Sequence, residues 1–166
     1  MATGLLDNFG DTNPLDLVEE ILSVNEWNFD RSSNDELVVD CGGRMGAYQL
    51  HFAWSAEVSA MHFSCFTDLR VPPQRRAPVY ELLATINGRM WLGHFDLASG
   101  DESPTFRHAV LLRGAHGASV EQLEDMVDHA LAECERYYTA FQFVIWGGKD
   151  PTEAVAASLL DPVGEA

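Results

Sequence analysis

Apolar side chains recur along the chain at two spacings, one helical and one extended. After Asn13-Pro14, which is typical of a helix cap and first residue, they fall three and four positions apart at Leu17, Val18, Ile21 and Leu22. This predicts a first helix over 14–24. Apolar and polar residues then alternate in four short segments, at 27–30, 37–41, 47–54 and 61–65, with turns between them. The alternation predicts a four-stranded antiparallel meander with one apolar face.

The second half of the chain returns to the helical spacing and then adds two more strands. A helix is predicted over 77–86, with a stop at Asn87-Gly88, and strands follow over 90–97 and 105–112. Ser119 and Gln122 have the spacing of a capping box, which predicts a long third helix over 120–145. A short fourth helix is predicted from Asp150-Pro151 to about residue 159.

The predicted order is α-ββββ-α-ββ-α plus a short C-terminal helix, an α+β fold in which an antiparallel sheet packs against helices. Since 166 residues suit one hydrophobic core, residues 13–160 are expected to form a single domain. Residues 1–12 are predicted to be a flexible arm and residues 161–166 a loose tail.

The end of the third predicted helix is apolar on nearly every side. A helix of this kind must be covered on more than one side. Two interpretations fit: the fourth helix covers the second side, or a dimer or partner protein does. The residues that define this end include Tyr137, Tyr138, Phe141 and Trp146.

The chain is strongly acidic. It has 10 Lys and Arg against 26 Asp and Glu, a net charge of −16, which argues against nucleic acid and anionic membranes as partners. No signal pattern opens the sequence, and no apolar stretch approaches the ~20 residues of a membrane helix. The three cysteines, Cys41, Cys65 and Cys134, have no metal-binding spacing and fall at apolar positions. We therefore expect a reduced, cytoplasmic protein.

Catalytic chemistry has little support in the sequence, which carries no nucleophile, phosphate-binding or zinc motif. Strand phase predicts that His108 lies on the apolar face and that His94 lies on the other face, near Arg107. His51 and His62 share that other face and could face each other as a zinc pair, but zinc needs further ligands. We expect no metal, no cofactor and no enzyme activity, and keep a hydrolase or metalloenzyme that uses His51 and His62 as an alternative.

Several longer segments resemble a known family. They are Asn13-Pro14, Trp27 with Phe29, Phe106-Arg107-His108, the segment NGRMWLGHFD at 87–96 and the segment YYTAFQFVIWGGK at 137–149. On these segments the chain resembles the YbjN family of bacterial sensory transduction regulators over about residues 13–160. The resemblance implies a fold similar to that of type III secretion chaperones, which are small, acidic, usually dimeric proteins that bind effector segments. It implies no catalytic residue.

The function expected from these observations is non-enzymatic. The protein would be a cytoplasmic regulator or chaperone-like adaptor, and a homodimer, that holds a segment of a protein partner. The expected contacts are Trp54, Trp91, Phe95, Tyr137, Tyr138, Phe141 and Trp146. The alternative is a small-ligand sensor with a pocket between sheet and helices, lined by Tyr48, Phe52, Met61 and Phe63.

Overall fold

A computed structural model describes residues 12–97, 100 and 102–160, and the predicted arm and tail lie outside these residues apart from Thr12. The described residues form an α+β fold in the predicted order. The helices are α1 (Pro14–Val24), α2 (Arg76–Asn87), α3 (Val120–Ile145) and α4 (Pro151–Leu160). The strands are β1 (Phe29–Ser33), β2 (Glu36–Gly42), β3 (Ala47–Ser55), β4 (Ala60–Thr67), β5 (His94–Leu97) and β6 (Pro104–Leu111).

Two helices, α1 and α3, begin and end at their predicted residues, and local caps determine where they begin. The Asn13 side chain accepts a hydrogen bond from the Leu15 amide at 2.9 Å at the start of α1. At the start of α3 the Gln122 amide donates to Ser119 Oγ at 3.1 Å, and the Ser119 amide donates to Gln122 Oε1 at 2.9 Å. The predicted capping box is therefore confirmed.

All six strands pair antiparallel in one sheet, in the order β1-β2-β3-β4-β6-β5. The first four form the predicted meander, and β6 returns beside β4 so that β5 takes the outer edge. Most other boundaries shift by one to three residues, and two of the shifts matter below: Trp27 precedes β1, and β5 begins only at His94. Gly93 has a φ of 68° and lies against the Phe106 ring, so the chain enters the sheet only after this residue.

Helices cover one face of the sheet. The long α3 packs against β4 and β6, α1 packs on β3, and α2 packs on β5. Between these layers Phe95 meets the rings of Phe106, Tyr137 and Phe141 edge-on, with centroids 5.4 to 6.1 Å apart. This aromatic cluster holds β5 and β6 to the end of α3 and forms one part of a continuous core.

The fourth helix covers the second side of α3, which confirms the intramolecular interpretation of its apolar end. Ala154 and Val155 of α4 are at most 1% exposed, and α4 packs on both α2 and α3. The α3 residues beneath this layer, Ala140, Phe141, Val144 and Ile145, are buried. The aromatic end of α3 is therefore largely buried within the chain, apart from the half-buried Phe143 and Trp146 at the helix terminus, which is 66% exposed.

Candidate functional site

Five of the seven residues expected to contact a partner belong to the core. Their exposed fractions are 7% or less, and they are Trp54, Phe95, Tyr137, Tyr138 and Phe141. In this structure they pack between the sheet and the helices and present little accessible surface, and contact with a partner at these positions stays a prediction. Trp91, which is 98% exposed between α2 and β5, and Trp146 are the two that a partner can reach.

Tyr138 of α3 is held in the core by a polar contact as well as by packing. Its hydroxyl donates to Asp68 at 2.7 Å, and burial together with this carboxylate raises its pKa. One turn earlier on α3, the Glu135 carboxylate accepts the Met45 amide at 3.0 Å. These contacts tie α3 to the β2–β3 turn and to the end of β4, which is a structural role.

The feature best suited to binding is an apolar cavity of about 280 Å³ between α1, the first half of α3 and the core face of β3. We call it the α1–α3 cleft. Leu50 and Phe52 of β3, which are at most 2% exposed, form its floor between the two helices. Its apolar walls are Val18, Ile21, Leu22, Trp27, Leu50, Phe52, Leu123 and Val127. Of the pocket residues expected from sequence, only Phe52 lines this cleft.

The rim of the cleft is polar and acidic. Asn25 closes the α1 side, while Glu124 and Asp128, one turn apart on α3, stand on the other side. Both carboxylates are exposed, and neither forms an ion pair with any residue that the structure describes. The cleft therefore offers an apolar floor beside unneutralised negative charge.

The sequence pattern placed Trp27 in the first strand, but the structure places it in the wall of the α1–α3 cleft. The chain reverses after α1, with Glu26 at a φ of 58°. The Trp27 amide then donates to the Leu22 carbonyl at 2.9 Å. This reversal folds the indole back beside the helix as a wall of the cleft, 37% exposed, rather than placing it in a strand.

A second cavity, of about 300 Å³, opens on the other side of α3 beside β6, and we call it the β6 cavity. His108 lines it, so the predicted apolar-face position of this residue is confirmed, although the ring is only half-buried. Burial lowers the pKa of His108, and the nearby His129 and His94 lower it further. The remaining lining residues are Leu92, Phe106, Val110, Gln122, Asp125, Met126 and His129.

The opposite face of the sheet carries the remaining strand histidines. His94 pairs with Arg107 as predicted, but His51 pairs with Ser64 and His62 with Ala53. His51 and His62 therefore share a face as diagonal neighbours rather than facing each other. Among residues 12–97, 100 and 102–160, no group of three His, Cys, Asp or Glu side chains could hold a metal ion.

Arg107 contacts two other polar side chains on this face. Its guanidinium forms an ion pair with Asp96 at 3.1 Å and lies 3.4 Å from His62 Nε2. Burial lowers the pKa of His62, and the positive charge of Arg107 lowers it further. The neutral imidazole that results can accept a hydrogen bond from Arg107, which gives the histidine a structural partner.

The cysteines lie at the apolar positions expected of them. Cys65 and Cys134 are buried and Cys41 is half-buried. Burial raises the pKa of Cys41, and the contact with Cys65 together with burial raises that of Cys134. Since the thiolate is the reactive form, these environments disfavour a nucleophile at Cys41 and Cys134.

Comparison with solved structures agrees with this architecture. "Crystal structure of YbjN, a putative transcription regulator from E. coli" matches with a TM-score of 0.51 at 15% identity. The match covers 81% of this chain and 90% of that chain, and at this identity it shows the fold alone. No protein of curated function matches the sequence.

No helix in the described part of the chain is long and apolar enough to cross a membrane. The model of the YbjN family, described as "Putative bacterial sensory transduction regulator", matches residues 14–143. That range extends from the start of α1 almost to the end of α3 and includes the whole sheet. The segments at 87–96 and 137–149 resemble the same family. Because the family model matches more than half of the chain, the chain belongs to the YbjN family.

Proposed function

We propose that this protein is a non-enzymatic, cytoplasmic regulator or adaptor that holds a segment of a protein partner in the α1–α3 cleft. The observation that carries the proposal is the apolar floor of the cleft beside the exposed carboxylates of Glu124 and Asp128. The partner segment would present a large apolar side chain next to lysine or arginine. Membership of a family described as regulators supports a binding role.

The cleft can contribute apolar burial to the binding of such a segment. Burying one leucine or phenylalanine side chain contributes about 1.5–3 kcal/mol. The two carboxylates, and the net charge of −16, would attract a basic segment and repel acidic competitors. A single buried anchor side chain can carry a large share of the binding energy of an interface.

The test is capture of partners from a native lysate, with variants that alter only the cleft. Val127→Phe fills the cavity from a half-buried position, and the pair Glu124→Lys and Asp128→Lys reverses the rim charge. Glu153→Lys, an exposed reversal on α4, is the matched control. We expect proteins captured by the native chain to be lost from both cleft variants and retained by the control. Capture that is equal in all variants would contradict the proposal.

The same cleft supports a second candidate function, a small-ligand sensor. Its volume of about 280 Å³ lies at the lower end of ligand pockets, which are roughly 300–1,000 Å³. The cleft therefore suits a compact apolar molecule with a cationic group. A thermal-shift screen of metabolites tests this: a ligand at about 100 times its Kd stabilises the protein by roughly 2.7 kcal/mol. Stabilisation that Val127→Phe abolishes would favour the sensor over the adaptor.

A further inference from the structure

Strand β6 extends past its outer neighbour. β5 pairs with β6 only from Pro104 to Arg107, and Gly93 then turns the chain away from the sheet. On the inner side, β6 stays paired with β4 as far as Leu111. Among the residues that the structure describes, no strand pairs with 108–111 on the outer side. The end of β6 is therefore an open sheet edge.

The register shows which backbone groups this edge presents. The Leu112 amide donates to the Ser59 carbonyl at 2.8 Å, in continuation of the β4–β6 ladder. In an antiparallel ladder the hydrogen-bonded pairs alternate, so Val110 and His108 also direct their backbone groups toward β4. Ala109 and Leu111 must direct theirs outward. The edge thus offers two N–H donors and two C=O acceptors at the spacing of an added strand.

The β6 cavity lies directly beside this edge, on the helix side of the sheet. Val110 and His108, which flank Ala109, both line it, and Leu92 and Met126 complete an apolar enclosure. Every second side chain of an added strand would point toward this cavity. Leu111, 80% exposed on the other side of the sheet, would meet the alternate side chains.

One residue that lines the cavity carries a buried polar atom with no hydrogen-bond partner in the described part of the chain. His129 Nε2 is buried and makes no hydrogen bond, while the ring rests edge-on against Phe106 at 5.8 Å between centroids. A buried polar atom without a partner costs free energy, and rotation of the His129 ring toward a bound polar group would remove that cost. Asp125 lines the same cavity, is exposed and forms no ion pair with a described residue. The site therefore favours a polar group inside and a positive charge at the mouth.

We infer that the open edge of β6 and the β6 cavity form a strand-addition site for an extended segment of a partner protein. The segment would pair with Ala109 and Leu111 and place one apolar side chain in the cavity. It would also hydrogen-bond His129 Nε2 and carry a lysine or arginine opposite Asp125. This site is separate from the α1–α3 cleft, since the two lie on opposite sides of α3, and it stands whether or not the cleft binds a partner.

The probe is a phage-displayed library of random twelve-residue peptides selected against the full chain. Ala109→Pro removes one outward N–H and leaves the β4 ladder intact, and Ala109→Val is the matched control that retains the N–H. We expect Ala109→Pro to weaken the selected peptides about tenfold and Ala109→Val to change binding less than twofold. His129→Phe should also weaken binding, His129→Gln should restore it, and Val127→Phe in the α1–α3 cleft should have no effect.

Hydrogen exchange on the complex supplies a readout independent of the variants. The bound peptide should slow exchange at the Ala109 and Leu111 amides, which face solvent in the free chain. A selection that enriches no peptide would overturn the inference. Peptides insensitive to both Ala109→Pro and His129→Phe, or peptides that protect amides in α1 instead, would also overturn it.

Discussion

Cys65 and Cys134 place their Sγ atoms 3.6 Å apart at the point where α3 crosses the middle of the sheet. Both thiols are almost wholly inaccessible, and Leu50, the β3 residue that pairs with Cys65, lies on the same face. This contact marks the centre of the interface between sheet and helices. The α1–α3 cleft and the β6 cavity lie on opposite sides of α3.

Thiol labelling should follow this arrangement. With a disulfide reagent at pH 8, Cys41 should react first, because it alone is half-exposed. Cys65 and Cys134 should react only as the chain unfolds, since both are buried and the pKa of Cys134 is raised. A labelling time course read by peptide mass spectrometry measures each site. Labelling of Cys134 as fast as Cys41 in the native protein would contradict the burial described here.

Phe141→Asp and Trp146→Asp should have opposite consequences although they lie five residues apart on α3. Phe141 is 0% exposed, so a buried charge there should unfold the protein, whereas Trp146 is 66% exposed and should tolerate the change. Circular dichroism and chemical denaturation distinguish the two. Sedimentation of the native chain and of Trp146→Asp then tests the homodimer expected from the sequence, for which Trp91 and Trp146 are the accessible aromatic contacts.

Removal of the N-terminal cap of α3 should lower the free energy of unfolding by a small, measurable amount. Ser119→Ala deletes the acceptor of the Gln122 amide and should lower the free energy of unfolding by about 1 kcal/mol. Ser23→Ala, at an exposed position in α1, should change it by under about 0.5 kcal/mol. Urea denaturation monitored by tryptophan fluorescence compares them. Equal effects would mean that the capping box contributes nothing specific.

The imidazole of His62 should titrate below its ordinary pKa, and Arg107→Gln should raise that pKa by removing a positive charge. His108, whose pKa is lowered by burial and by other histidines, should not respond to this substitution. NMR titration of both rings measures the effect in one experiment. A His62 pKa unchanged in the variant would show that Arg107 does not act on it.

The lowered pKa of His62 also makes the free energy of unfolding depend on pH. Between the lowered pKa and about 6.5, the unfolded chain binds more protons at His62 than the folded chain. This histidine therefore contributes less to stability as the pH falls through that window. Replacement by glutamine should flatten the corresponding part of the stability profile.

Local signals account for what the sequence predicted well. α1 and α3 begin where expected because Asn13 and the Ser119–Gln122 box act within one turn of each helix start. The opposite faces of His94 and His108 followed from strand alternation alone. The segments at 87–96 and 137–149 indicated the family that the model of residues 14–143 shows.

The features that the sequence did not predict depend on tertiary contacts. Periodicity marks Tyr137 and Phe141 as apolar but does not say that α4 and β5 cover them. The α1–α3 cleft arises from the separation of two helices distant in sequence and from the reversal at Glu26. No spacing within one element encodes either feature, so the residues of the cleft looked like ordinary core.

The most direct test of partner binding in the α1–α3 cleft is site-specific photo-crosslinking in the cells that produce the protein. A benzophenone amino acid replaces Val127 in the cleft wall, and the same amino acid at Glu153 on α4 is the control. We predict that position 127 crosslinks to a short partner segment containing an apolar residue beside lysine or arginine, and that position 153 does not. Crosslinks of equal yield and identity from both positions, or no protein crosslink from position 127, would contradict the account.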